Sequence, residues 1–230
     1  MSAPRLGSLN ADDFIAPVCH ESIEILYQDV AILVINKPSG LLSLSGKNPL
    51  NKDSVHHRLV QDFPTALMVH RLDLGTSGLM LIALSKDIVK ILNQQFSNRT
   101  IKKTYEAILD GSSKDLNLKS YRGIIDLPIA KGVFPHQKIC HENGKAALSE
   151  YRVIKQYADR FRVEFIPVTG RTHQLRVHSE AIGHAILGCD LYGTESTQAK
   201  SPRLLLHASQ LEFIHPLSHK TMHLKCPVPF

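Results

Sequence analysis

Two short apolar runs, residues 31–35 and 79–84, constrain the fold most. The first stops at the turn formers Lys37-Pro38-Ser39-Gly40, and the second follows Gly75-Thr76-Ser77-Gly78. Gly, Pro and Ser in such clusters reverse or break the chain. Runs this short cannot cross a bilayer, which takes about 20 apolar residues as a helix. Between such turns they read as strands. Further strands are expected at 23–27, through 36 after the first apolar run, and at 103–110, 147–154, 161–168, 204–207, 211–214 and 222–225. The 103–110 segment alternates, with Tyr105, Ala107 and Leu109 on one face and Glu106 and Ile108 on the other.

Helical spacing is rarer. Ser54 is expected to cap a helix over 54–62 with Val55, Leu59 and Val60 inward. Ser85 is expected to cap another to residue 98, with Ile88, Ile91, Leu92 and Phe96 on its apolar face. Thr172 is expected to cap a third, ended by Gly183. Strands dominate and do not alternate regularly with helices, which excludes a doubly wound parallel sheet. The expected class is α/β of the α+β kind, a mixed and largely antiparallel sheet with flanking helices and loops. Residues 1–22 read as a loose N-terminal arm and 23–230 as one domain, since 230 residues suit one sizeable core.

Composition narrows the function classes. With 43% hydrophobic and 21% charged residues the chain is ordinary for a globular protein. Lys and Arg exceed Asp and Glu, 27 to 21, which favours a polyanionic partner. The four cysteines form no Cys-x-x-Cys pair, arguing against zinc ribbons and thioredoxin-like chemistry. The first residues are polar and do not resemble a signal peptide, so a cytoplasmic location is expected. There is no Gly-rich phosphate loop and no His-Glu-x-x-His. His173 and His178 are five apart and would diverge on a helix, so no metal is expected.

Chemistry concentrates in two segments. In His70-Arg71-Leu72-Asp73-Leu74-Gly75-Thr76-Ser77-Gly78 a carboxylate sits beside Arg71 in a flexible turn. Nearby positive charge favours its ionised form. That suits a nucleophile or base, and equally an ordinary structural ion pair. The second segment, Thr169-Gly170-Arg171-Thr172-His173-Gln174-Leu175-Arg176-Val177-His178, also crowds Arg, His and a Gly turn together.

With Lys37-Pro38-Ser39-Gly40-Leu41-Leu42 and Lys102-Lys103-Thr104-Tyr105, these segments resemble the motif set of the RluA-type RNA pseudouridine synthases, in the family's order. Lys52-Asp53-Ser54-Val55 and Asp126-Leu127-Pro128 are most similar to its short dual-specificity branch, which has no appended domain. The resemblance implies an RNA-binding isomerase that needs no cofactor and acts, as a monomer, on a 23S rRNA hairpin, a tRNA anticodon stem-loop, or both. It implies Asp73 as the catalytic carboxylate, attacking ribose C1′ or base C6 or acting as a base at C2′. Arg176 would pair with it, and Tyr105 would stack on uracil and serve the C5 proton. Leu175 would wall the pocket. Arg71 would fill the space of the flipped base or hold a phosphate, while Arg171, Lys102 and Lys103 would hold phosphates. Lys37 belongs to the first motif, as a substrate contact or a turn residue. A catalytically silent RNA-binding or RNA-folding factor on the same scaffold is the alternative. A carboxylate glycosidase ranks last, because neither segment supplies a second acid.

Overall fold

Ten of the strands join one sheet in a computed structural model that describes residues 13–116 and 121–230. In chain order the strands are β1 (Glu24–Gln28), β2 (Ile32–Lys37), β3 (Leu67–Met68), β4 (Ser77–Ala83), β5 (Lys102–Asp110), β6 (Arg122–Asp126), β7 (Ile129–Lys131), β8 (Gln137–Ile139), β9 (Leu148–Gln156), β10 (Arg160–Pro167), β11 (Leu206–Ile214) and β12 (Thr221–Lys225). The helices are α1 (Val55–Asp62), α2 (Lys86–Ser97), α3 (Gln174–Ala181) and α4 (Glu195–Ala199). The main sheet runs β1-β2-β4-β11-β5-β10-β9-β6, with β3 beside β4 and β12 beside β11, while β7 and β8 form a separate hairpin. Among the strands of the described residues only β4 and β11 pair in parallel, through His207 opposite Ser77 and Ala208 opposite Gly78. The mixed, largely antiparallel sheet is the one expected.

Every residue of β4 is buried, which explains its unbroken apolar run. Its second residue, Gly78, has φ +111, and a Cβ there would lie 2.3 Å from the Ala208 carbonyl oxygen. The β4–β11 junction therefore requires glycine at this position. β11 unites the two segments expected separately at 204–207 and 211–214. Its register against β5 shifts between Ala208 and Gln210, which breaks the alternation in the sequence.

Two apolar cores lie along the sheet. One gathers Ile32–Ile35, Leu79–Ala83, Val55 and Leu59 of α1, and Ile88 and Leu92 of α2. The other gathers Ala107, Leu109, Phe161, Val163, Phe165, and Leu175 and Val177 of α3. β11 serves both, with Leu206 in the second and Ala208, Leu211 and Phe213 in the first. Tyr105 packs against both cores and so marks their seam.

Ser54 and Ser85 cap their helices as expected, accepting from His57 N at 3.1 Å and Ile88 N at 3.3 Å. Thr172 does not cap α3. The cap residue is His173, in the left-handed region at φ 56, without a side-chain cap bond. The Gln174 amide organises the entry instead, accepting from Arg171 N at 2.9 Å and Thr169 Oγ1 at 2.7 Å. The described part of the expected loose arm is tied down. Ala16 N donates to Asn51 Oδ1, Asn51 Nδ2 donates to the Phe14 carbonyl, and Arg58 bonds the Glu21 and Cys19 carbonyls. Residues 1–12 of that arm lie outside the described residues.

Candidate active site

The loop carrying Asp73 is gripped from one side by the segment that follows β2. Ser43 Oγ donates to the Leu72 carbonyl at 2.6 Å and accepts from Leu72 N at 3.1 Å. Gly40 N and Lys37 Nζ both donate to the Leu74 carbonyl, at 2.9 and 3.2 Å. Ser39 Oγ donates to the Gly75 carbonyl at 2.7 Å. Lys37 is fully buried, and its ammonium also bonds the Pro38 and Leu41 carbonyls at 2.8 Å each. An ammonium has three donors, so none remains for a substrate. This geometry favours the turn reading of Lys37 over a substrate contact: its ammonium is bonded to the carbonyls that shape the Asp73 loop. Burial pulls its pKa down to about 7, against the favourable charge of Asp73.

From the other side Ser77 fixes the loop's exit. Its hydroxyl meets His207 Nδ1 at 2.8 Å and accepts from Arg203. His70 fixes the entrance by accepting from Leu81 N at 2.9 Å, with its ring 5.1 Å from Phe96. Burial pushes the His70 pKa down to about 3, so it is neutral and structural.

Held this way, Asp73 lines a cleft of about 670 Å³ above the seam of the two cores. Ligand pockets for small organic groups span roughly this size. Arg71, Lys102, Lys103, Tyr105, Arg171, Leu175 and Arg176 line the same cleft, so residues from three sequence segments converge as expected. The Asp73 carboxylate is half-buried and accepts no hydrogen bond from any described residue. Its charge nonetheless acts on Lys37, Tyr105, His173, Arg176 and Tyr192. Burial first, and then Asp73, raise the Tyr105 pKa far above its usual value, so the phenol stays protonated.

The hydrogen bonds of Arg176 differ from the expected direct pair. Its guanidinium bonds Asp190, and Nε and Nη2 reach Cys189 Sγ at 3.3 and 3.4 Å. It lies 5.3 Å from the Tyr192 ring centroid. Asp73 reaches Arg176 through its field rather than a hydrogen bond. Tyr192 also ties α3 to the β7–β8 hairpin. Gln137 N donates to its oxygen at 2.8 Å, and its O–H can then donate to His173 Nδ1, also at 2.8 Å. Burial lowers the His173 pKa, with Asp73 opposing.

Asp190, Cys189, Tyr192 and His173 were not expected among the site residues. The visible signal is Gly188-Cys189-Asp190-Leu191-Tyr192-Gly193, an acid and a tyrosine between two glycines, both of positive φ. Arg71 is exposed, and its Nη2 meets Thr172 Oγ1 at 3.4 Å. Arg171 Nε donates to the Ala146 carbonyl at 3.0 Å. Lys103 lies over the Phe96 ring, 5.9 Å from its centroid, and burial lowers its pKa. Among the described residues no cluster of His, Cys, Asp or Glu could hold a metal, and no helix is long and apolar enough to cross a membrane.

One carboxylate without a hydrogen bond, a protonated tyrosine and a ring of cations suit chemistry on a base or sugar of a polyanion. Residues 31–181 match the RNA pseudouridylate synthase family. The chain belongs to this family and isomerises uridine to pseudouridine in RNA. Among its relatives is the dual-specificity RNA pseudouridine synthase RluA of Yersinia pestis, 48% identical over 209 residues, which span 90% of this chain and 99% of that one. RluA of Escherichia coli K12 is 46% identical, over 90% of this chain and 93% of its own. The solved structure of human RNA pseudouridylate synthase domain containing 1 superposes with a TM-score of 0.77 at 28% identity, covering 94% of this chain and 87% of that one.

Proposed function

We propose that this synthase modifies uridines in two RNAs, a 23S rRNA hairpin and a tRNA anticodon stem-loop, with Asp73 as its catalytic carboxylate. The observation that carries the catalytic assignment is the Asp73 carboxylate, without a hydrogen bond at the cleft, facing Tyr105 and Arg176. Dual specificity rests on the relatives, which bear that description and match nearly their whole length.

The reaction breaks the C1′–N1 bond, turns the uracil and joins C1′ to C5. C5 loses a proton and N1 gains one, so electrons and protons balance without an added reagent. The target nucleotide must leave its stack to reach the cleft, which costs a few kcal/mol. Exposed Arg71 can offset part of that cost by stacking its planar guanidinium in the vacated space. Leu175 and the Tyr105 ring form the apolar walls for uracil. Because Tyr105 stays protonated, its hydroxyl can take up the C5 proton only as it passes its own proton on. Arg71, Lys103 and Arg171 offer cationic contacts to the RNA backbone. Lys37 and the residues after it keep the Asp73 loop in register.

The test is tritium release from C5-labelled uridine in two isolated stem-loops of about 15–20 nucleotides, one from each RNA. Both should react with kcat/KM close to that of the full-length RNA, and a loop-scrambled control should not. Release from one stem-loop alone would overturn dual specificity. A requirement for a distant RNA element would overturn recognition within this domain.

A further inference from the structure

Arg99 stands where a helix end ordinarily takes glycine. Asn98 is the C-cap of α2. Arg99 N donates to the Phe96 carbonyl at 3.2 Å, and Thr100 N to the Gln95 carbonyl at 3.0 Å. These paired bonds define a Schellman ending, whose next residue takes the left-handed conformation. Arg99 has φ 56. Side chains other than glycine are disfavoured there because Cβ crowds the backbone. A residue held in such a conformation points to a use for its side chain.

That use is not inside the protein. Arg99 is exposed, and its side chain has no hydrogen-bond or ion-pair partner among the described residues. By contrast, Lys102 pairs with Glu212 at 2.7 Å, and Arg176 with Asp190. Arg99 lines the same cleft as Asp73, together with Phe96, Lys103, Gly170 and Arg171. Lys103 is also without a carboxylate, and no described charge offsets its burial.

We propose that Arg99 is a substrate-binding residue that, with Lys103, grips an RNA phosphate flanking the target uridine. This inference rests on the RNA reading above and assigns that site a further phosphate-holding residue beside Lys103 and Arg171. The guanidinium suits the task because its fork of donors matches two phosphate oxygens.

Arg99→Gly separates the two uses of this position, since glycine relieves the backbone and removes the charge. Binding of a stem-loop is measured by fluorescence anisotropy from about 50 to about 200 mM salt, with Asp73→Asn as background to prevent turnover. Adding Arg99→Gly should lower the slope of log affinity against log salt by about 0.7–0.9, the share of one phosphate contact. Arg99→Lys should keep the slope. With Asp73 intact, Arg99→Gly should raise KM and leave kcat unchanged, with a Tm no lower than that of the wild type. An unchanged slope and KM would overturn the inference, and a fall in Tm beside them would show that Arg99 serves the helix end alone. Wild-type turnover on the same stem-loop is measured alongside. Its absence would sink the RNA reading instead, so the two failures are distinguishable.

Discussion

At the residue scale, the feature that sets Asp73 apart is a carboxylate that accepts no hydrogen bond from a described residue. A carboxylate committed to two or three donors is a poor nucleophile or base, whereas this one feels Arg176 and Lys37 only through their fields. Its neighbour Arg176 is 4% exposed and is held by Asp190, which is itself largely exposed. Asp190→Ala should leave the guanidinium loosely placed, lowering kcat on the order of ten- to a hundred-fold with little change in KM. Arg176→Met should abolish measurable turnover. Steady-state kinetics on one stem-loop checks both, and equal kcat in Asp190→Ala would show that Cys189 and Tyr192 suffice to position Arg176. Asp73, Tyr105, Arg176, Arg71 and Leu175 were legible in the sequence because each lies inside a dense motif. Asp190, Tyr192 and Arg99 were not, because their relation to the site depends on how the chain returns in space. Lys37 was legible as a motif residue, but its burial was not, since nothing in the sequence marks a lysine as enclosed by carbonyls.

At the scale of elements, short-range chemistry was the most legible. Ser54 and Ser85 each precede a run with helical spacing, and both cap as expected. Thr172 also precedes such a run, yet the buried Gln174 amide supplies the bonds at that entry, and local propensity yields to tertiary contact. Ser85→Ala should therefore cost about 1 kcal/mol, seen as a Tm lower by roughly 2–4 °C. Thr172→Ala should leave Tm unchanged, since its hydroxyl caps nothing. Thermal unfolding of the two variants checks the contrast, and equal losses would show that Thr172 does stabilise the entry. The β7–β8 hairpin, β3 and β6 escaped sequence reading because they are short and lack strong alternation. Their pairing is set by neighbours, as where β6 joins the edge of β9.

At the scale of the molecule, the cleft exists because two cores meet along β11 and β5 without merging. Sequence reading anticipated one core of adequate size; the division arises from long-range strand order, which periodicity does not encode. The enclosed Lys37 links this architecture to pH. Its folded pKa of about 7 lies below the ordinary 10.5, so above pH 7 the unfolded chain binds more protons than the folded one. Stability should then rise with pH from about 7 towards 10, by up to about 1.4 kcal/mol per pH unit from this group. Lys37→Met should flatten that rise in chemical denaturation across the same range. A profile identical to the wild type would show that the lysine keeps its charge on folding.

The role proposed for Asp73 is to carry the chemistry through its carboxylate, which accepts no hydrogen bond from a described residue. Asp73→Asn tests it most directly, because the amide keeps the shape and removes the charge. Tritium release and pseudouridine content are measured on a single stem-loop, with binding and Tm followed in the same preparation. The expected result is a folded protein that binds RNA as the wild type does, releases no tritium and forms no pseudouridine. Turnover within about ten-fold of the wild type, a barrier change of only about 1.4 kcal/mol, would contradict the assignment of Asp73.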